Sequence, residues 1–277
     1  MKPAAVDYVR ARSLAEALDL LARPNVEARV MAGGQSLVAM MNLRIASPDL
    51  VVDIARLPEL TAVTEEESTV FYGACVTHAA IEDRRVPDPS RGLMPQVAEG
   101  LAYRAIRNRG TLGGSLALAD PAAEWPSVLI ALDAAAVIAG RNATRSVMCK
   151  EFVTGVFQTR LAEDEILTTI WVPKLSVEAR WGYVKLARKS GEFAASLAVA
   201  VRDPARGYAR VVVGAADGAP LILDNATRLC VGGALDHAAA RSAIAADLAR
   251  AADRQFDDFH RNLHAVAALR AMTQACA

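Results

Sequence analysis

Two short stretches decide how this sequence is read: Ala32-Gly33-Gly34-Gln35-Ser36, and far downstream Thr111-Leu112-Gly113-Gly114-Ser115. Each sets adjacent glycines beside a small hydroxyl side chain at the end of an apolar run. Paired glycines let the backbone come close to a ligand and turn successive N–H groups toward it, and Ser or Thr hydroxyls add donors. Such concave N–H clusters suit a diphosphate, the more so where a helix N-terminus follows. One Gly-Gly pair is an ordinary turn signal. Two pairs in matching contexts point to a dinucleotide-like ligand whose pyrophosphate is held between two loops from two subdomains. Neither standard nucleotide pattern is present: the chain has no G-x-G-x-x-G and no G-x-x-x-x-G-K-[ST], which disfavours a Rossmann site and a P-loop.

The composition around these stretches excludes several function classes. The 277 residues carry 31 Lys plus Arg against 31 Asp plus Glu, so no basic field is available to hold nucleic acid. With 53% apolar and 22% charged residues the chain is a folded globular protein, long enough for two or three packed units. Asp7, Arg10 and Arg12 interrupt any signal-peptide core, so the expected location is the cytoplasm, the inner face of the membrane included. The longest apolar run, from Val128 to Ala139, is broken by Asp133 and falls short of the roughly 20 residues a membrane span needs. Cys75, Cys149, Cys230 and Cys276 lie far apart, so neither a disulfide framework nor an iron–sulfur or zinc ligand set is expected. Any metal centre belongs to another chain.

Along the chain, Ser13 reads as the N-cap of a helix whose Leu14, Ala17, Leu18 and Leu21 share a face, ending before Pro24. A short buried strand from Ala28 to Ala32, a helical stretch rich in Leu and Met, and a strand from Leu50 to Ile54 complete a β-α-β-like unit. A hairpin follows, with strands over Leu60–Thr64 and Thr69–Cys75. Thr77 caps a helix through Ile81, and a second helix spans Leu93 to Tyr103. Arg107 to Ser115 reads as a loop, and Asp120 as the N-cap of a helix with Pro121 at N1, running to about Leu132. Strands are expected near Ala135–Ala139 and Glu165–Val172, with Pro173 closing the unit. Beyond it, Arg180–Ala187, Leu197–Arg202, Tyr208–Ala215 and Ala226–Val231 read as antiparallel strands, and the chain from Leu235 onward as helix.

Three of these segments carry a resemblance to a known family. Ala32-Gly33-Gly34-Gln35-Ser36-Leu37, then Ile106-Arg107-Asn108-Arg109-Gly110-Thr111-Leu112-Gly113-Gly114-Ser115-Leu116 and Ala119-Asp120-Pro121-Ala122-Ala123-Glu124, are similar to the FAD-binding medium subunit of the molybdenum hydroxylases, the carbon monoxide dehydrogenase and xanthine dehydrogenase group. Trp181-Gly182-Tyr183-Val184-Lys185 with Arg188-Lys189-Ser190-Gly191-Glu192-Phe193-Ala194 resembles the entry to that family's C-terminal domain. The resemblance implies an α+β fold: a vanillyl-alcohol-oxidase-type (PCMH-type) FAD-binding domain of two subdomains, residues 1–56 and 57–174, and a C-terminal domain of antiparallel strands and helices, residues 175–277. It implies that Ala32, Gly33, Gly34, Gln35, Ser36 and Leu37, with Thr111, Gly113, Gly114 and Ser115, hold the FAD pyrophosphate and neighbouring groups. Asp120 would bond the ribityl or ring side, Leu161 would touch the isoalloxazine or adenine, Lys185 would lie near the flavin, and Phe193 would cover the isoalloxazine. Gln35 stands where His or Asn is frequent and Ser115 where Asn is frequent; both keep hydrogen-bonding capacity.

The implied function is electron transfer. The chain would work in a heterotrimer, itself paired as a dimer of heterotrimers, with a [2Fe-2S] small subunit and a molybdopterin large subunit, and its FAD would pass electrons to an external acceptor. Two other readings stand beside it: a stand-alone FAD oxidoreductase on the same fold, and a nucleotide-sensing module motivated by the glycine stretches alone. No nucleophile–base–orienter set is recognisable, and none is needed if flavin does the chemistry. Each residue also has a plain structural reading: Asp120 as a helix cap, Lys185 as a solvated strand residue, Phe193 as a core aromatic. Arg104, Arg107 and Arg109 are either a solvated basic edge or a face for the partner that delivers electrons. His78 and His237 sit near helix starts. His260 and His264, at i and i+4, lack a third ligand, so no metal site is assigned.

Overall fold

The computed structural model describes residues 2–251, 254 and 256–277. The chain opens with β1 (Asp7–Arg10), α1 (Leu14–Leu21), β2 (Ala28–Met31), α2 (Leu37–Asn42) and β3 (Leu50–Asp53), a parallel sheet in the order β1-β3-β2. Ser13 caps α1 by accepting from Glu16 N–H, and Ala17, Leu18, Leu20 and Leu21 are buried. β3 is central and wholly buried, as its apolar run requires. β2 lies at an edge and is only partly buried, against expectation, because its outer side borders a cleft.

The middle of the chain comprises α3 (Pro58–Thr61), β4 (Val63–Glu65), β5 (Thr69–Gly73), α4 (His78–Glu82), α5 (Leu93–Glu99), α6 (Arg104–Arg107), α7 (Leu112–Leu118), α8 (Glu124–Ala131), β6 (Ala135–Ala139), β7 (Thr144–Met148), α9 (Cys149–Phe152), β8 (Val153–Gly155), β9 (Gln158–Thr159) and β10 (Ile166–Pro173). Five strands form an antiparallel sheet, β4-β5-β10-β6-β7, whose core includes Tyr72, Leu93, Leu116, Trp125, Leu129, Phe152 and Ile170. The structure departs from the expected elements at four places. The first arm of the hairpin loses Leu60 and Thr61 to α3, which Pro58 starts at its first turn. The helix from Leu93 stops at Glu99, and Ala102 takes a left-handed φ of 37°. Of the expected loop from Arg107 to Ser115 only residues 108–111 stay non-helical: Arg107 ends α6 and α7 starts at Leu112, with Thr111 as its N-cap. Asp120 does not cap a helix: its carboxylate accepts from Ala122 N–H in a local turn, and α8 starts only at Glu124.

The last part of the chain contains β11 (Arg180–Leu186), β12 (Ser196–Asp203), β13 (Tyr208–Gly214), β14 (Leu221–Ile222), α10 (Asp224–Val231), α11 (His237–Arg250) and α12 (Asp258–Ala275). Its antiparallel sheet runs β11-β12-β13-β14. β12 is buried on both faces: Leu197, Val199 and Val201 join the core of the middle unit, while Ala198 and Ala200 pack with α11 and α12. The expected strand over Ala226–Val231 is the helix α10, whose Ala226 and Cys230 share its buried side. The expected helix from Leu235 divides into α11 and α12, and its residues 252, 253 and 255 lie outside the described residues.

Candidate cofactor site

A single cleft of about 1310 Å³ brings the predicted residues together. It exceeds the roughly 300–1,000 Å³ of a drug-sized pocket, as an extended dinucleotide requires. Ala32, Gly33, Gly34, Gln35, Ser36 and Leu37 line one side; Thr111, Gly113, Gly114, Ser115 and Asp120 line another; Leu161 and Phe193 complete the wall. Phe193 is 66% exposed at the cleft and is no core aromatic. Lys185 does not line the cleft. It stands one side chain behind it, its Nζ 2.6 Å from Oε1 of Glu124, which does.

The two glycine stretches meet directly. A Cβ on Gly33 would sit 2.0 Å from the carbonyl oxygen of Arg109 and 2.9 Å from the Cα of Gly110, and one on Gly113 would sit 2.4 Å from the Cβ of Ala74. These glycines are therefore required by protein neighbours: Gly33 lets the backbone close the seam between the first unit and the middle one, and Gly113 lets α7 pack against Ala74 within the middle unit. What they leave for a ligand differs between the two sides. Among the described residues the N–H groups of Gly34, Gln35, Ser36 and Leu37 have no protein acceptor. With Gly34 in the left-handed region at φ 73°, they form a run of four consecutive free donors, an anion-binding arrangement. On the second side the expected N–H cluster is already engaged. Leu112 N–H donates to Val76, Gly113 N–H to Ala74, Gly114 N–H to Thr111 Oγ1 and Ser115 N–H to Thr111.

Glu124 and Lys185 form a nearly dry ion pair. Their side chains are 5% and 12% exposed, and Lys185 Nζ also donates to the carbonyl of Gly100 at 3.3 Å. Burial pushes the Glu124 carboxyl above the usual carboxylate range, and the neighbouring ammonium partly offsets this. In the sequence Glu124 only ends the Ala119-to-Glu124 motif and carries no expected role. Lys185 is not a solvated strand residue.

Arg107 is likewise internal. It pairs with Glu82 at 2.6 Å, holding that carboxyl low, and its Nη1 donates to the carbonyls of Leu101 and Ala102. Arg104 pairs with Asp83 and Glu82. Arg107 thus braces the elbow of residues 100–103, which lines the cleft from Leu101 to Tyr103. His260 and His264 part company: His260 bonds Asp257 at the surface, while His264 is buried on Ser196, and burial lowers its pKa to about 4. Among the described residues no group of three or more His, Cys, Asp or Glu is placed to hold a metal ion.

Charge is distributed unevenly in the cleft. Arg29 is the one cation among its described lining residues, against Glu27, Asp120, Glu124, Glu163, Glu165 and Glu192. Arg29 is itself tied to Glu27 at 3.0 Å. The lining suits FAD on dipolar rather than ionic grounds: four consecutive N–H groups without a protein acceptor are of the kind that binds a diphosphate, and one lone, paired cation accompanies them.

Comparison with known proteins agrees with this geometry. Residues 4–175 match the family model described as the FAD binding domain in molybdopterin dehydrogenase. The chain is 38% identical to the nicotine 6-hydroxylase medium subunit of Paenarthrobacter nicotinovorans, over 79% of this chain and 77% of that protein. It is 37% identical to the caffeine dehydrogenase subunit beta of Pseudomonas sp. (strain CBB1), over 77% of this chain and 74% of that one. Among solved structures it superposes on carbon monoxide dehydrogenase from Hydrogenophaga pseudoflava, in a form lacking the Mo-pyranopterin moiety, with a TM-score of 0.92 and 31% identity over 99% of this chain and 98% of the other. The α+β PCMH-type fold, the cleft and these matches lead to one conclusion: the chain belongs to the FAD-binding medium-subunit family of the molybdenum hydroxylases, is an oxidoreductase subunit, and takes FAD as its cofactor.

Proposed function

We propose that this chain is the electron-transfer flavoprotein subunit of a heterotrimeric molybdenum hydroxylase, arranged as a dimer of heterotrimers with a [2Fe-2S] small subunit and a molybdopterin large subunit. FAD, when bound, supplies a carrier that exchanges electrons one or two at a time. The observation that carries the reading is the run of free N–H groups from Gly34 to Leu37, placed in the same cleft as Ser115, Asp120, Leu161 and Phe193. In this reading Gly34 to Leu37 hold the diphosphate, Ser115 and Asp120 bond the ribityl or ring side, and Leu161 and Phe193 border the isoalloxazine. Lys185 acts from behind Glu124. Residues 1–56 and 57–174 form the two FAD subdomains and 175–277 the C-terminal domain; each segment has a sheet of its own.

The names of the relatives favour a complex, since the P. nicotinovorans protein is a medium subunit. We place the chain in the cytoplasm: its four cysteines are free thiols, as a reducing compartment maintains, and no described helix is long and apolar enough to cross a membrane. The test is purification of the chain with its native partners, followed by flavin absorbance, molybdenum and iron analysis, and reoxidation of the reduced complex by NAD, a quinone, a cytochrome or oxygen. Co-purification of iron and molybdenum with one flavin per chain is the expected result. A chain that turns over substrate alone, with neither metal, would establish the stand-alone oxidoreductase instead.

A further inference from the structure

His78 is 8% exposed, borders the cleft, and has an unusually determined ring. Its backbone N–H donates to the carbonyl of Gly110 at 2.9 Å, and a Cβ on Gly110 would lie 2.8 Å from the ring's Cδ2 and Nε2. The imidazole is thus flush against the turn that leads into Thr111. Its Nδ1 accepts from the indole N–H of Trp125 at 3.1 Å. Indole nitrogen only donates, so Nδ1 must be the bare nitrogen and the proton must sit on Nε2. Among the described residues Nε2–H has no protein acceptor. Burial, with Arg107 nearby, lowers the ring's pKa to about 4, so the group stays neutral at ordinary pH.

This donor stands beside the one part of the site whose own N–H groups are engaged. Leu112 through Ser115 donate within the protein, which leaves the second turn short of donors just where the neutral imidazole edge lies. Unlike the Nε2 of His264, which is buried without a partner, the Nε2 of His78 is open to the cleft it borders, so its N–H is free to donate to a bound ligand. We propose that His78 is a binding residue for FAD: Nε2–H donates to the cofactor beside the turn from Gly110 to Ser115, with Trp125 as the positioning residue that fixes its tautomer. The inference rests on the cleft's being the FAD site.

The test uses the complex carrying this chain, stripped of FAD and reconstituted. FAD dissociation constants are measured for the native chain, His78→Phe, which keeps a ring without a donor, His78→Gln, which keeps an N–H donor, and Trp125→Phe, which frees the tautomer. Melting temperatures are taken in parallel. One lost hydrogen bond corresponds to a roughly tenfold weakening. The expected order is about tenfold for His78→Phe, a few-fold for Trp125→Phe, and recovery of more than half the effect in His78→Gln. Binding within twofold of native in His78→Phe would overturn the proposal, as would affinities that follow melting temperature rather than the presence of a donor. Should the variants not assemble, nitrogen-15 NMR of histidine in the native full chain decides: an Nδ1–H tautomer, or an Nε2 signal that FAD leaves unmoved, refutes it. Failure of the native complex to rebind FAD would refute the site itself, a separate outcome.

Discussion

The Glu124–Lys185 pair offers the sharpest test of how the C-terminal sheet is joined to the cleft. Lys185 sits on β11 and Glu124 begins α8, so the 2.6 Å contact spans two packed units. Both side chains are nearly dry, and removing one partner strands the other's charge. Breaking a buried pair in this way costs about 3–5 kcal/mol, against less than about 1 kcal/mol for an exposed one. Glu124→Gln leaves the ammonium only the carbonyl of Gly100 and should lower the melting temperature by roughly 10 °C. Lys185→Met should cost less, because Glu124 is already displaced toward its neutral form and can take up a proton. Its sign with pH follows from that. The folded-state carboxyl pKa lies above the unfolded value, so the penalty is present above that value and is relieved as pH falls; Lys185→Met should grow more stable from pH 7 to pH 5. The double variant should cost no more than the worse single one. Denaturant unfolding of all four proteins, followed by tryptophan fluorescence, measures the cycle. A coupling below about 0.5 kcal/mol would refute the claim that this pair is dry and joins the two units.

Three further outcomes follow from the same geometry. His78 and His264 both have pKa values lowered to about 4 by burial, below the unfolded value near 6.5, so the stability they confer is lost as pH falls from 6.5 toward 4. Each should remove about 2 kcal/mol by pH 5, and a His264→Asn variant should show a visibly smaller loss between pH 7 and pH 5 in denaturant titrations. Gly33→Ala should cost about 1–3 kcal/mol and lower FAD occupancy, since its methyl group would collide with the Arg109–Gly110 backbone; unchanged flavin content and melting temperature would show that the seam can yield. FAD affinity should change by less than about twofold between 0.05 and 0.5 M salt, because no unpaired cation lines the described cleft; a steep decline on titration would mean that ion pairing holds the diphosphate.

Features set by local chemistry are legible in the sequence, and features set by distant partners are not. Ser13 and Thr77 cap their helices as read, because capping needs only a hydroxyl and the N–H groups that follow it. Leu50–Asp53 and Ser196–Asp203 are readable as strands because burial on both faces demands a continuous apolar run. Ala226–Val231 deceives: six residues are too few to separate a helical from an extended period, and the helix is capped from afar, by Asp247 accepting from the N–H groups of Asn225 and Ala226. Asp120 fails as a cap because Ala119 takes a left-handed φ of 51° and ends α7, a turn that no local residue preference announces. Glu124 and His78 look ordinary until Lys185 and Trp125 arrive from other parts of the chain.

The acidic lining of the cleft has a physical reading that the glycine stretches alone do not supply. A diphosphate needs compensation, and arginines would provide it at the cost of a site whose affinity varies with salt. Here the nearby ions are largely spent on one another: Arg29 on Glu27, Arg145 on Glu165 and Lys185 on Glu124. On the proposed reading the task then falls to groups that carry no charge at neutral pH, namely the free N–H groups from Gly34 to Leu37 and the neutral imidazole of His78. Oriented dipoles of this kind leave the electrostatic environment of a bound cofactor nearly constant from pH 5 upward. Lys185 stands behind the cleft wall and links two parts of the chain. It is anchored at once to Glu124 on α8 and to the carbonyl of Gly100 on the braced elbow, so a shift of β11 against the middle unit would alter both contacts together.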